Sequence, residues 1–411
     1  MPTPRRTIED CRRIWEAFEK AGGDKSKAAK LLKMPLNTYR SAWYDAKIRV
    51  GAKDEEPDDP IEARRVKSKV SLQQQRIDAL ERQAAEDRTI REAVFGLSQR
   101  PLEPPHWNPK PSNGTKHREA IVLFLSDVHM GEEIKLDNMG GRNSYNMRIA
   151  VRRLERYFQS VVKLGTEHWT GPPPDSIYMV LGGDMISGEI HEELAKTNDL
   201  LSIPAVQILA EALAAGISLL RASFPSLPIN VISVPGNHGR TTRKPESKDF
   251  ALNSYDTLVA WLLEWWATTK GVKNVTFSAP RSGDAVVVIH GWTHLFTHGD
   301  RIGSRGGAGF VGPAATVSRG MQKLIQDYSA EGIILNTIVI GHFHCDLELE
   351  QGFCNGSLPG PSEFSRSFRM RSHPATQLMF TVHPHYRIAR RWRIQVGDKS
   401  EGSIYGGGAA A

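Results

Sequence analysis

The sequence predicts an α/β protein whose larger part is a four-layer α/β/β/α sandwich, preceded by a small all-α module and one long helix. Three observations lead there. Apolar runs of strand length recur through residues 119–397, amphipathic segments of helical period separate several of them, and beyond residue 344 the pattern turns to alternating strands. The strand-like runs lie at 120–126, 177–182, 229–234, 295–297 and 337–340, and later ones at 347–350, 377–383 and 387–396. Helical spacing marks 147–164, 203–223, the Trp-rich 254–268 and 316–328.

The N-terminal 1–53 reads as three short helices. Residues 7–21 place Ile8, Ile14, Trp15 and Phe18 at helical spacing, 24–34 hold Ala28, Ala29, Leu31 and Leu32, and Pro35-Leu36-Asn37-Thr38 restarts a third helix running to about residue 47. This pattern resembles a helix-turn-helix, with the paired alanines allowing close packing and Asn37, Thr38, Arg40 and Ser41 early on the recognition helix. The same module carries 13 Lys or Arg against 6 Asp or Glu, so the whole chain's net charge of +7 resides there. Such local excess predicts an anionic partner, DNA foremost, contacted by residues such as Arg40 and Lys33; a three-helix protein-docking module is the alternative.

Residues 54–97 form a linker and a long charged helix. Val70, Ile77 and Ala84 stand seven apart with Leu80 beside them, a stripe thinned by Gln73 and Asp87, so oligomerisation through this helix and a solvated or partner-packed helix both stay open. A connector at 98–118 follows, with Pro101, Pro104, Pro105, Pro109 and Pro111 around Trp107, and 398–411 reads as a disordered tail.

Five short stretches carry the chemistry. Asp127-Val128-His129, Gly183-Asp184, Gly236-Asn237-His238, His298-Gly299-Asp300 and Gly341-His342-Phe343-His344 each follow an apolar run, which places hard oxygen and imidazole donors at strand ends. A donor set of Asp, Asn and His without thiolate suits Mn²⁺, Fe, Zn²⁺ or Ni²⁺ rather than a structural zinc site. Any one block alone is weak, since Gly-Asp after a strand is commonly a solvated turn; five in order are specific. Other histidines read differently: 285–289 and 293–297 form a hairpin turning at Gly291-Trp292, which makes His290 and His294 structural, and His168, His191, His383 and His385 stay unassigned.

In order and chemistry the five blocks resemble the calcineurin-like metallophosphoesterase superfamily, over about residues 119–395. The resemblance implies two divalent metal ions, manganese foremost. Asp127, His129 and His344 would hold one, Asn237, His298 and His342 the other, with Asp184 bridging and His238 giving a proton to, or contacting, the departing phosphate oxygen. Ser187 and Gly239 stand where many members carry acidic groups or His, which puts the groups that orient the His238 imidazole in question. Arg240, Arg243, Lys244, Arg301 and Arg305, and Arg366, Arg369 and Arg371 after the last ligand, would hold a polyanion through its phosphates. The implied activity is a DNA-directed nuclease or phosphodiesterase, similar to phage or prophage phosphoesterases and distantly to the recombination-nuclease branch. A phosphomonoesterase or protein phosphatase, and a DNA-binding assembly protein with a non-catalytic metal domain, are the alternatives.

Composition fits a cytoplasmic protein of a bacterium or phage-infected host. Hydrophobic content is 40%, no apolar run approaches the roughly 18 residues that span a bilayer, and the N-terminus lacks the apolar core of a signal peptide. Cys11, Cys345 and Cys354 have no metal-ligand spacing, as expected in a reducing compartment.

Overall fold

The computed structural model describes residues 6–50, 60–98, 117–303, 313–369 and 373–402. Most of the 98–118 connector, the 51–59 segment, Arg305, Arg371 and residues 403–411 lie outside the described residues. The chain divides into two compact units, Met1–Asn108 and Pro109–Ala411.

In the first unit, α1 (Ile8–Lys20), α2 (Lys25–Leu31) and α3 (Leu36–Arg49) enclose Cys11, Ile14, Ala28, Ala29, Tyr39, Ala42, Trp43 and Ala46. Thr7 caps α1 with a reciprocal bond to Asp10, and Asp24 caps α2 by accepting from Ser26 and Lys27. The turn into α3 closes on Lys33, whose φ of 56° lets the Met34 N–H reach the Ala29 carbonyl at 2.9 Å and its own N–H the Lys30 carbonyl at 3.1 Å. Buried Tyr39 donates to the Ile14 carbonyl at 3.0 Å and so ties α3 to α1. Asn37, Thr38, Arg40 and Ser41 are exposed on α3. The long helix α4 (Pro60–Ser98) exposes Val70, Ile77 and Leu80.

The second unit runs β1 (Ala120–Leu125), α5 (Met147–Thr166), β2 (Ser176–Leu181), α6 (Glu192–Thr197), α7 (Ser202–Ser223), β3 (Ile229–Ser233), α8 (Tyr255–Thr269) and β4 (Val275–Ser278). It continues with β5 (Ala285–Ile289), β6 (Trp292–Phe296), α9 (Ala314–Ala330), β7 (Thr337–Ile340), β8 (Leu347–Leu349), β9 (Gly352–Cys354), α10 (Glu363–Ser367), β10 (Thr376–His383) and β11 (Arg387–Gln395). Two mixed sheets result, ordered β11-β10-β1-β2-β3-β4 and β5-β6-β7-β9-β8. β1 to β4 are parallel, as are β6, β7 and β9.

Strand alternation decides which face each side chain serves. Ile121, Leu123 and Leu125 of β1 join one apolar cluster with Leu154, Phe158, Leu209, Leu213 and Leu263 of α5, α7 and α8. Ala120, Val122 and Phe124 join another with Phe296, Val339 and Phe353 of the second sheet. On the second sheet, Leu295, Ile338 and Ile340 cluster with Val317 and Met321 of α9.

Three expectations are corrected. The β5–β6 hairpin turns at His290-Gly291, one residue earlier than expected, because Ile289 pairs Trp292 and both turn residues adopt positive φ, 51° and 83°, the geometry of a two-residue hairpin. Residues 398–402, expected within a disordered tail, pack against the fold: Glu401 is buried against Arg153, whose Nε reaches it at 2.9 Å while the rest of the guanidinium binds the Leu358 and Pro359 carbonyls, Asn143 and Ser144. Finally, α7 is long and apolar enough by length and composition to cross a membrane; its Ala205, Leu209, Leu213, Ile217 and Leu220 instead fill the first apolar cluster.

Candidate metal centre

All the predicted ligands follow the C-terminal ends of parallel strands. β1, β2 and β3 of the first sheet supply Asp127, His129, Asp184 and Asn237; β6 and β7 of the second supply His298, His342 and His344. The turns that aim them are strained. Asp127, His129, Asp184, His342 and His344 all have φ between 48° and 65°, a region that non-glycine residues rarely enter and that costs about 1 kcal/mol or more each. Tertiary hydrogen bonds hold them there: the Asp127 N–H donates to Gly183 and the His129 N–H to Asp184, both at 3.0 Å, and the Leu358 N–H donates to the Asp127 carbonyl at 3.0 Å.

Two groups of donors converge. Asp127, His129 and His344 form one and Asp184, His298 and His342 the other, each with its potential ligand atoms within 4.8 Å of one another. In the first group, Nε2 of His129 lies 3.1 Å from Nε2 of His344, which is 3.3 Å from Asp127 Oδ1. Nitrogens bound to one ion at about 2.0–2.1 Å stand roughly this far apart. In the second, His298 Nε2 pairs with Asp184 Oδ2 at 2.9 Å, and Asn237 Oδ1 is buried with no partner. An orphaned buried acceptor is costly unless a cation takes its lone pair. The donor set thus fits metal ions.

The imidazoles are turned by their other nitrogens. His298 Nδ1 meets the Gly182 carbonyl at 2.8 Å, which turns Nε2 toward the Asp184 carboxylate. His238 Nδ1 meets the Ser187 carbonyl at 2.8 Å, and the His238 backbone N–H donates to Asp184 Oδ1 at 2.6 Å. The orienting group for His238 is therefore main chain, and needs no acidic side chain at position 187.

Gly239 has a separate reason. The carboxylate of Asp256, in the first turn of α8, occupies the space that a Cβ at position 239 would fill. Asp256 accepts from the Asp184 N–H at 3.1 Å, the Met185 N–H at 3.0 Å and the Gly236 N–H at 2.8 Å, locking the β2 and β3 ligand turns to each other. Burial, and next the nearby Asp184 charge, raise its carboxyl to about 6. Gly236 is required because any side chain there would enter the Asp184 carboxylate, and Gly341 because one would enter that of Asp127.

Behind Asp127 lies a buried polar network. Ser126 Oγ donates to Asp127 Oδ2 at 2.6 Å, Asn355 Nδ2 reaches Ser126 Oγ at 2.9 Å and Gln377 Oε1 at 2.8 Å, and Gln377 exchanges two bonds with the Ser126 main chain. The sequence reading missed Asp256 and Gln377; the capping Ser254, two residues before Asp256, marks a helix start rather than a site. Glu132, also missed, stands 3.8 Å from His129 Nδ1, its carboxyl raised by burial to about 7. Burial would raise Asp184 too, but His298 and His238 hold its carboxyl well below the usual range. His342 is lowered to about 4 by burial and then by His298.

The cationic residues separate by use. Arg240 spends its guanidinium on the carbonyls of Thr242, Asn237 and Arg243, shaping the loop after His238. Arg301 lies over the Phe250 ring at 3.4 Å, and with Arg240, Asp300 and Asn237 lines a small cavity beside the second donor group. Arg243 and Lys244 are exposed on the same loop. His191, unassigned by sequence, has its ring 5.7 Å from that of His238. Arg40 and Lys33 belong to the other compact unit and are exposed there.

No family model matches the chain, and no curated protein matches it. Among solved structures, the chain is similar to a phosphopantetheinyl hydrolase from Mycobacterium tuberculosis at 14% identity and a TM-score of 0.23, over 60% of this chain and 92% of that one. A likeness so slight says nothing of the chemistry.

Proposed function

We infer that the protein is a metal-dependent hydrolase of phosphodiester bonds, of the calcineurin-like metallophosphoesterase type, acting on DNA as a nuclease or phosphodiesterase. One observation carries this reading: two groups of three Asp and His donors converge at strand ends, and the nearby Asn237 Oδ1 is buried without a hydrogen-bond partner. The apolar clusters, one shared by the two sheets and one on each helical side, support the four-layer α/β/β/α sandwich expected for this type.

Asp127, His129 and His344 would hold one ion, and Asn237, His298 and His342 the other, with Asp184 between them. When bound, such a pair offsets the charge of a phosphodiester and makes water a stronger nucleophile. The chain's own groups do the rest. Ser126 and Asp256 keep Asp127 and the Asp184 turn in place, so that little reorganisation accompanies reaction. His238, with Nδ1 engaged by the Ser187 carbonyl, can hold a proton at Nε2 for the departing oxygen. Arg301 and the exposed Arg243 and Lys244 present positive charge to a polyanion, and the basic helical module supplies a second, separate DNA contact through α3.

Metal-reconstituted protein incubated with end-labelled single- and double-stranded DNA, RNA, a bis-aryl phosphodiester and an aryl phosphomonoester tests the reading. Cleavage of DNA and the diester is expected. Turnover of the monoester alone, indifferent to competing DNA, would replace it with a phosphomonoesterase, and no turnover of any substrate would leave a DNA-binding assembly protein.

A further inference from the structure

The short helix α10 and the residue that follows it present an exposed aromatic pair. Phe364 and Phe368, four residues apart and so on one face, have 65% and 68% of their surface exposed, with ring centroids 4.8 Å apart. Large apolar side chains in contact with each other in water, here with their rings tilted by 50°, signal a binding surface more strongly than a lone exposed residue does. The sequence around them, Phe364-Ser-Arg-Ser-Phe-Arg369, interleaves them with Arg366 and Arg369, both exposed.

The placement of α10 is fixed by its other face. Glu363 accepts from the Lys135 N–H at 3.0 Å, and Arg366 Nη1 donates to the Asn138 carbonyl at 3.1 Å, so the helix grips the loop that follows His129 and Glu132. On the other side, Leu358, whose N–H bonds the Asp127 carbonyl, precedes Phe364 by six residues. That length of chain reaches at most about 20 Å. Aromatic faces flanked by arginines, within a few nucleotides' reach of a phosphodiester site, match the way single strands are held: bases stack on rings while cations follow the backbone.

We propose that Phe364 and Phe368 form a base-stacking platform that holds unpaired bases of a single-stranded nucleic acid beside the metal centre. The proposal rests on the phosphodiesterase reading for its substrate, and names the strand form that the site takes: a frayed or single-stranded end rather than intact duplex, whose bases are not free to stack on protein.

The test compares full-length wild-type protein with the Phe364→Ala/Phe368→Ala double variant in binding two fluorescently labelled oligomers without added metal. One is oligodeoxythymidylate and the other an abasic strand of equal length, which keeps the phosphates and lacks the bases. Wild type is expected to favour the thymidylate by about tenfold or more, on the scale of stacking one base, and the double variant to bind both alike. Phe364→Trp/Phe368→Trp should restore the preference, and because both side chains face solvent the melting temperature of each variant should match wild type. Equal binding of the two strands by wild type, or an equal loss for both strands in the alanine variant, would overturn the platform. Cleavage of labelled DNA with Mn²⁺, measured in parallel, separates the two claims. Cleavage without base preference removes the platform alone, whereas base preference without cleavage removes the hydrolase reading and leaves the platform.

Discussion

At the scale of single residues, the chemistry depends on which atom of each side chain is left free. His238 is the clearest case, since its Nδ1 is engaged by the Ser187 carbonyl and only Nε2 can serve a substrate. His238→Ala should leave metal content intact and slow hydrolysis of poor leaving groups by on the order of 10²–10⁴, with activated aryl esters suffering less. Equal losses across a leaving-group series would assign His238 to phosphate positioning instead. Asp256 is the complementary case, a carboxylate that touches only backbone and no predicted ligand atom. Asp256→Ala strands three buried N–H groups and should cost about 3 kcal/mol or more in stability while weakening metal retention. Asp256→Asn keeps an acceptor for two of the three and should fall between; thermal unfolding with and without metal, together with elemental analysis, would show a contradiction if both variants matched wild type.

At the scale of elements, the sequence made the ligand-bearing strands readable because β1, β2, β3 and β7 are apolar runs ending in a change of chemistry, and a buried parallel strand needs little else. Two strands were not readable. β4 is an edge strand with alternating partial burial, and β9 is three residues long, entered through Gly352 at a φ of 151° that brings its backbone against Ile338. The polar partners were hidden for a different reason: Ser126 and Gln377 are 251 residues apart, and Arg153 and Glu401 are 248, distances over which local pattern carries no information. The inner surface of β6 yields a prediction about pH. His294 is fully buried between Phe296 and Phe380, neither ring nitrogen has a partner, and burial lowers it to about 4 from 6.5. A histidine held neutral in the fold gains its proton on unfolding, so its contribution is complete above pH 6.5 and is lost as pH falls toward 4, by about 3 kcal/mol at most. His294→Phe should flatten the stability profile across that window. A profile as steep as wild type would place the acid sensitivity elsewhere.

At the scale of the whole molecule, charge and chemistry are divided between the two units. The excess of positive charge lies in residues 1–53, whereas every predicted ligand lies beyond residue 126. Deleting 1–53 should therefore leave hydrolysis of a small diester unchanged while lowering affinity for duplex DNA and flattening its salt dependence, as phosphate contacts vanish. Arg40→Ala should reproduce part of that loss, and so should Lys33→Gly, which removes the charge but keeps the left-handed turn between α2 and α3. Unaltered affinity and slope across a salt series would mean that the three helices dock a protein.

The claim on which the rest depends is that the two donor groups hold a pair of metal ions acting together on a phosphodiester. Asp184 tests it best, because its carboxylate joins one group, receives the His238 N–H and stands within the field of both. The decisive measurement is metal content and bis-aryl phosphodiester turnover, determined on the same reconstituted samples of wild type and Asp184→Asn. Two ions per chain with turnover in wild type, and loss of at least one ion together with turnover in the variant, is the expected result. A variant that keeps two ions and a near-native rate would contradict it.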